Sequence, residues 1–199
     1  MLSKQFLLDV KERYEPQGYT IRPLKDTKHV NILQLEKDGN LYVAKSIWSE
    51  VGNPEDAKRA DKAFRMETSV LKELPSWWGL SLVDSFKTEL NRVIVTPYLE
   101  HVSWNTYKGK NAKELAAQLK KQLQWMETHK ICHNDVELKN ILLSKDQKKV
   151  FFIDFEKSKR SSVCSDKKNL LEILEESPNT KSLAKYFSSK TQTRKRSTK

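Results

Sequence analysis

The sequence predicts an α+β protein in which an antiparallel sheet dominates the first half of the chain and helices dominate the second. Residues 41–47 alternate and are rich in strand formers, and they follow the turn sequence Asp38-Gly39-Asn40, which is typical of a hairpin. Residues 112–130 instead repeat with helical spacing, and their apolar stripe consists of Leu115, Leu119, Leu123 and Met126. The chain has 199 residues, which suits one compact unit.

The remaining elements follow from the same patterns. The N-terminal segment begins with a helix-like apolar set that we expect to pack on the sheet, namely Phe6, Leu7, Leu8 and Val10. Alternating and helical periodicities place the other elements, with Ser177-Pro178 as the break between the last two helices. The predicted strands lie within 19–48 and about 80–99, and the predicted helices at about 54–74, 166–176 and 179–188.

The most informative stretch combines two segments of the second half. A polar loop, His133-Asn134-Asp135-Val136-Glu137-Leu138-Lys139-Asn140, opens into the apolar triplet Ile141-Leu142-Leu143. A second apolar run then ends in Asp154-Phe155-Glu156. We expect Asp135, Asn140 and Asp154 to converge at the mouth of a small two-stranded ribbon. Such a set suits phosphoryl transfer, in which metal ions neutralise the phosphates and a carboxylate orients the attacking hydroxyl.

Each of these residues has an ordinary interpretation when it is taken alone, because Asp and Asn before a strand are common turn formers. The joint order is much more specific: H-x-D-x-x-x-x-N, an apolar triplet, a basic turn, and then apolar-Asp-Phe. This pattern resembles that of the protein-kinase-like superfamily. The resemblance implies that Asp135 is the catalytic-loop aspartate, Asn140 the metal-binding asparagine, and Asp154 the metal-binding aspartate of the D-F-G position.

The resemblance also assigns residues to nucleotide binding. Lys45 falls at the position of the strand-three lysine that binds the nucleotide phosphates. The ordinary alternative is a lysine that points outward from the strand into solvent, which is more common for this residue type. Glu67 is preferred as its helix partner because it lies one turn from Phe64 and Leu71; Glu55 and Glu73 are rivals in the same helix. The predicted strand at 91–97 and its connector would supply the adenine pocket through Thr96, the Pro97 carbonyl and the Leu99 N–H.

Several positions depart from the family pattern. No glycine occurs between Gly18 and Gly39, where the glycine-rich phosphate loop would lie, and Lys25 and Lys28 could supply charge there instead. Asn134 stands in place of the arginine before the catalytic aspartate, Glu137 in place of a lysine, and Glu156 in place of the glycine of D-F-G. Lys139 is displaced by two positions, so no phosphate-binding role carries over to it.

The short chain after Asp154 resembles the small atypical branch of the superfamily: the RIO-family kinases, the kinase of the tRNA-modifying KEOPS complex, and lipopolysaccharide-core sugar kinases. The resemblance implies a minimal two-lobed protein-kinase-like fold with an antiparallel-sheet upper lobe and a reduced, mainly helical lower lobe. The predicted organisation is an N-terminal helical extension (1–18), an upper nucleotide-binding lobe (19–99), a lower catalytic lobe (100–188) and a basic disordered tail (189–199).

The implied activity is phosphorylation of an acceptor hydroxyl with ATP and Mg²⁺ (or Mn²⁺) as cofactors. The acceptor is first a protein Ser or Thr, and second a sugar or other small molecule. The alternative from another class is a pseudokinase-like module that binds a protein or ribonucleoprotein partner. The glycine-free segment favours the module, whereas Lys45, Asp135, Asn140 and Asp154 together favour the enzyme.

Composition adds expectations about partners and location. The 37 Lys and Arg exceed the 26 Asp and Glu, giving a net charge of +11, and the basic tail could bind an acidic protein or RNA. No apolar run is long enough to cross a bilayer and no secretory leader is evident, so we expect a cytoplasmic protein; Arg194-Lys195-Arg196 also permits a nuclear one. Cys132 and Cys164 are not expected to form a disulfide framework, and Cys132 is predicted to be a buried packing residue.

Overall fold

The large sheet is built from the first half of the chain, and three of the five helices within the described residues follow in the second half, as the sequence predicts. The computed structural model describes residues 4–24, 32–50 and 52–188. Within these ranges the helices are α1 (Lys4–Tyr14), α2 (Pro54–Glu73), α3 (Ala112–Thr128), α4 (Asp166–Glu176) and α5 (Lys181–Ser188). The strands are β1 (Thr20–Pro23), β2 (Ile32–Lys37), β3 (Asn40–Trp48), β4 (Asp84–Lys87), β5 (Asn91–Pro97), β6 (His101–Val102), β7 (Ile131–Cys132), β8 (Ile141–Ser144), β9 (Val150–Phe152) and β10 (Lys159–Arg160).

The first half of the chain builds a five-stranded antiparallel sheet in the order β1-β2-β3-β5-β4. The β2–β3 hairpin turns at Asp38 and Gly39, whose φ angles of 51° and 75° lie in the left-handed region. Gly and Asp adopt this region at low cost, and the twist of such a turn matches that of the flanking strands. The hairpin register places Lys45 opposite Ile32, and β3 then pairs with β5 so that Lys45 lies opposite Ile94.

Helix α1 covers one face of this sheet. Phe6, Val10 and Tyr14 recur every fourth residue, so they form one buried stripe. The helix is also tied to the sheet by Asp9, whose Oδ2 accepts a hydrogen bond of 2.7 Å from the Thr88 hydroxyl. The stripe packs on the sheet residues Leu33, Leu35, Ala44, Val93 and Val95.

Helix α2 packs on the opposite face. Neighbouring residues of a strand point to opposite faces, so Ile94 contacts the α2 side while Val93 and Val95 contact α1. The helix begins cleanly because Asn53 caps it, its side chain accepting a hydrogen bond of 3.1 Å from the Asp56 N–H. Its buried stripe consists of Ala60, Phe64, Glu67, Thr68, Val70 and Leu71. One carboxylate, that of Glu67, is therefore carried on an otherwise largely apolar face.

In the second half of the chain, helix α3 is the central element. The predicted stripe of Leu115, Leu119, Leu123 and Met126 is buried, and it packs in one large core with residues of α2, α4 and α5. The β6-β8-β9 sheet lies beside this helix, and a shorter pair joins β7 to β10. The predicted two-stranded ribbon is thus a three-stranded sheet, because His101 and Val102 add an edge strand to β8.

Three side chains hold the backbone of this small sheet in place. The indole of Trp78 donates to the Phe152 carbonyl at 3.1 Å, and that of Trp104 donates to the Ile141 carbonyl at 2.6 Å. Gln122 on α3 accepts from the Phe152 N–H at 3.0 Å and donates to the Val150 carbonyl at 2.7 Å. Since buried hydrogen bonds of this kind are costly to break, they fix the strands that deliver residues 140 and 154 to the site.

A disulfide joins Cys132 and Cys164, which are 32 residues apart in sequence and have their Cα atoms 5.3 Å apart. The expectation that the two cysteines do not form a disulfide framework was therefore wrong, whereas Cys132 is fully buried, as predicted. The cause is a long-range strand pairing. Cys132 lies opposite Lys159 in the β7–β10 pair, which brings the following residues back past β7. Cysteine spacing alone could not show this contact.

Reduction of this disulfide is expected to lower the free energy of unfolding by about 2–4 kcal/mol, because opening a loop of this size restores conformational entropy to the unfolded chain. Urea unfolding with and without a dithiol reductant measures the difference. The control is Cys164→Ala, which already lacks the bond and should not respond to the reductant. Equal stability of the wild-type protein under both conditions would contradict the prediction.

No helix within the described residues is long and apolar enough to cross a membrane. The predicted basic tail, 189–199, lies outside the described residues, as do Lys25 and Lys28 of the glycine-free segment.

Candidate active site

Lys45 on β3 is the centre of an ion cluster between the large sheet and the second half of the chain. Its Nζ lies 2.7 Å from Glu67 Oε2 on α2 and 2.7 Å from Asp154 Oδ1, and 3.8 Å from Glu156 Oε2. The side chains of Lys45 and Glu67 are only 22 % and 6 % exposed, so these charges interact with little screening. The lysine therefore faces the cluster and not the solvent.

Of the three glutamates considered as the partner of Lys45, the structure places Glu67 in contact with the lysine. Glu67 is buried beside Phe64 and Leu71, as the helical spacing predicted, and its contact with Lys45 is an ion pair without well-aligned hydrogen-bond geometry. Glu73 pairs with Arg160 instead. Glu55 is exposed in the first turn of α2.

Opposite charges keep this cluster ionised in spite of burial. Burial alone would lower the pKa of Lys45, but the carboxylates of Glu67, Asp154 and Glu156 outweigh it and raise the pKa above its ordinary value. Burial would raise the pKa of Asp154, yet the Lys45 ammonium holds it below its ordinary value. For Glu67 burial dominates, and its pKa is raised although Lys45 opposes the shift.

The loop from His133 to Asn140 presents Asp135 to this cluster. The Asn140 Nδ2 donates to the Asp135 carbonyl at 2.9 Å and to Asp135 Oδ2 at 3.0 Å. The Asn140 carbonyl in turn accepts from the Ile153 N–H at 3.0 Å, which links the loop to the residue before Asp154. Asp154 itself has φ = 65°, a left-handed conformation that Asp tolerates better than most residues. The structure thus brings together Asp135, Asn140 and Asp154.

His133 braces this loop from inside the protein. It is fully buried, its ring centroid lies 5.0 Å from that of Phe155, and its Nε2 lies 2.9 Å from the Ile153 carbonyl. Burial lowers the pKa of His133, so the neutral ring donates its Nε2–H to that carbonyl. These contacts give His133 a structural role in the loop.

Asp166 is a residue of this site that sequence reasoning missed. It is the first residue of α4 and is 4 % exposed. Its two carboxylate oxygens accept the backbone N–H groups of His133 at 2.6 Å and Asn134 at 3.1 Å. An aspartate at a helix N-terminus is common, so the sequence carries no local signal for this long-range contact.

Asn134 and Lys157 form a second unforeseen contact. The Asn134 Nδ2 donates to the Lys157 carbonyl at 3.2 Å and to the Cys132 carbonyl at 3.3 Å. The Lys157 Nζ donates to Asp135 Oδ1 at 2.9 Å. This hydrogen bond raises the pKa of Lys157, so the side chain remains an ammonium ion at neutral pH.

The three residues predicted for the adenine pocket lie at the end of β5 and in the connector that follows. Since Lys45 is opposite Ile94, Thr96 two residues along lies on the same face of the sheet as Lys45. Pro97 is the last residue of β5, and the partly buried Leu99 packs against the large core. The Leu99 carbonyl lies 2.9 Å from Nδ1 of His101.

A sheet-bearing half and a helical half meet at a largely buried lysine, its carboxylate partners and the polar loop from His133 to Asn140. This arrangement is typical of kinase-type phosphotransferases. The chain matches the protein kinase domain family over residues 27–194. Because this match spans most of the chain, the protein belongs to the protein kinase family. No curated protein matches the chain.

Proposed function

We propose that this protein transfers the terminal phosphoryl group of ATP to an acceptor hydroxyl in the presence of Mg²⁺ or Mn²⁺. The observation that carries the proposal is the ion cluster in which Lys45 Nζ lies 2.7 Å from Glu67 Oε2 and 2.7 Å from Asp154 Oδ1. Keeping such charges together in a half-buried position costs desolvation energy. A platform that only binds a partner has no need of this arrangement, whereas a nucleotide site does.

The donor set fits a magnesium ion. Asp154 is ionised and offers carboxylate oxygens, and Asn140 Nδ2 is engaged by Asp135, which leaves the Asn140 amide oxygen as its available ligand atom. Glu67, Asp154 and Glu156 also form a group of carboxylates close enough to share a metal ion. We assign Asp154 and Asn140 to the metal, which when bound neutralises charge on the phosphates.

The protein groups around that position have separate roles. Lys45, oriented by Glu67, binds the phosphates, and Thr96, Pro97 and Leu99 line the adenine pocket. Asp135 orients the acceptor hydroxyl and accepts its proton as the new phosphorus–oxygen bond forms.

The acceptor is a protein Ser or Thr in our first proposal and a sugar or small molecule in the second. We place the protein in the small atypical branch that includes RIO-family, KEOPS-type and lipopolysaccharide-core sugar kinases. Support comes from the second half, where α4 begins twelve residues after Asp154 and only α5 follows it within the described residues. The pseudokinase-like module remains the second candidate, favoured by the absence of glycine between Gly18 and Gly39.

Addition of ATP with Mg²⁺ is expected to raise the melting temperature by about 5–10 °C at a ligand concentration near one hundred times Kd, because a ligand that binds only the folded state stabilises it. ATP with a chelator should give a smaller shift, since Asp154 and Asn140 then have no ion through which to hold the phosphates. Differential scanning calorimetry measures both. If no nucleotide shifts the transition with any divalent metal, the enzyme is excluded and the module is the candidate that is left.

A further inference from the structure

The catalytic loop itself provides no cation at Asp135. Glu137, two residues on, carries a negative charge into the loop, and its carboxylate pairs with Lys139 at 2.8 Å. Both side chains are exposed by half or more, so this pair points to solvent. Lys45 is held on the other side of the site by Glu67 and Asp154. Apart from the metal ion assigned to Asp154 and Asn140, a phosphoryl group arriving at Asp135 would therefore meet no positive charge on the acceptor side unless another cation is present.

Lys157 is that cation. Its Nζ lies 2.9 Å from Asp135 Oδ1, and within the described residues it is the one lysine or arginine that pairs with this carboxylate. Asp135 is 12 % exposed, whereas the Lys157 side chain is 56 % exposed, so the ammonium group sits at the mouth of the site and contacts the carboxylate from outside. It can thus touch both Asp135 and a ligand that approaches from solvent.

The backbone around Lys157 is fixed, which distinguishes it from an ordinary surface lysine. Asn134 Nδ2 binds the Lys157 carbonyl at 3.2 Å. The next residue, Ser158, closes a turn by donating its N–H to the Phe155 carbonyl at 3.0 Å, and its hydroxyl donates to the His133 carbonyl at 3.3 Å. The residue before the catalytic aspartate thus anchors the turn that presents Lys157.

We propose that Lys157 is a catalytic lysine that contacts the transferring phosphoryl group and neutralises its charge beside Asp135, a role that no residue of the catalytic loop can fill. The inference rests on the proposed phosphotransferase function. In the reaction the acceptor oxygen bonds to the γ-phosphorus, and the bond from that phosphorus to the bridging oxygen breaks. The bonding electrons leave with ADP, and the hydroxyl proton passes to Asp135. Lys157 keeps its own proton throughout and supplies charge and hydrogen bonds.

Lys157→Met tests the proposal, with ATP·Mg²⁺ as the substrate and water as the acceptor, read out as release of inorganic phosphate. We expect kcat to fall by about 10²–10³-fold while the KM for ATP changes little, because the contact strengthens only as charge develops in transfer. Lys157→Arg keeps the positive charge and should recover at least a tenth of the wild-type rate. The matched control is Lys139→Met, which removes a neighbouring positive charge that makes no ion pair with Asp135 and should lower kcat far less than Lys157→Met does.

The outcomes separate this inference from the function on which it rests. If the wild-type protein neither binds nor hydrolyses ATP, the proposed function fails and the role of Lys157 falls with it. If the wild-type protein hydrolyses ATP and Lys157→Met hydrolyses it equally fast or faster, only the assignment of Lys157 is overturned. A faster variant would mean that Lys157 restrains Asp135. Urea unfolding of each variant checks that a lost rate does not reflect a lost fold.

Discussion

Asp135→Asn is expected to bind ATP·Mg²⁺ as the wild-type protein does and to lose turnover by about 10²–10⁴-fold, the usual contribution of a positioned general base. The amide keeps the volume of the carboxylate and can still contact Asn140, which binds both the carbonyl and the side chain of Asp135. It cannot accept a proton from the acceptor hydroxyl. The loss should therefore appear in kcat, whereas KM for ATP stays close to its original value.

Asp154→Asn is the matched comparison and should fail in a different way. It removes a carboxylate that contacts Lys45 and that we assign to the metal, so metal-dependent nucleotide binding and turnover should be lost together. Isothermal titration with ATP and Mg²⁺ measures binding, and phosphate release measures turnover. Mild and equal effects of the two substitutions would show that the two aspartates have been given the wrong roles.

Asp166→Ala is expected to lower the free energy of unfolding by about 3–6 kcal/mol, since two hydrogen bonds to a charged acceptor are lost at about 1.5–3 kcal/mol each. Asp166 is 4 % exposed and His133 is fully buried, so the His133 N–H would be left buried without a partner, and the Asn134 N–H would lose its acceptor. Because these groups begin the catalytic loop, turnover should fall further than stability alone would explain.

Urea unfolding and phosphate release, measured on the same preparations, test this prediction. Asp166→Asn keeps one acceptor oxygen and should be intermediate. Glu172→Ala on the same helix is the control, because its half-exposed carboxylate makes only a long pair with Lys168 at 3.6 Å and should change stability by less than about 0.5 kcal/mol. An Asp166→Ala variant as stable as that control would show that the loop does not depend on this aspartate.

Those parts of the site that depend on short sequence spacing could be predicted. Lys45 follows a recognisable hairpin, and the loop from residue 133 to 140 brings its own asparagine back to Asp135. The choice of Glu67 over Glu73 also followed from local spacing, because only a residue one turn from Phe64 and Leu71 borders the buried face. The antiparallel sheet and the order of the helices were predicted on the same grounds.

Contacts between distant segments could not be predicted in this way. Asp166 meets the catalytic loop, and Cys164 meets Cys132, only because the short β7–β10 pair folds the chain back. Lys157 reaches Asp135 for the same reason. The sequence around Lys157, Cys164 and Asp166 does not distinguish them from ordinary surface residues. Their contacts depend on how the β7–β10 pair folds this segment back onto the loop.

The disulfide between Cys132 and Cys164 encloses Asp135, Asn140, Asp154 and Lys157 within one covalent ring, while Lys45 and Glu67 lie outside it. A peptide bond cut by a protease anywhere between the two cysteines would therefore release no fragment, and the nicked protein would keep its size until it is reduced. The two sides of the cluster therefore differ in connectivity. Residues of the ring are joined to one another by two covalent paths, whereas Lys45 and Glu67 are joined to them by the main chain alone.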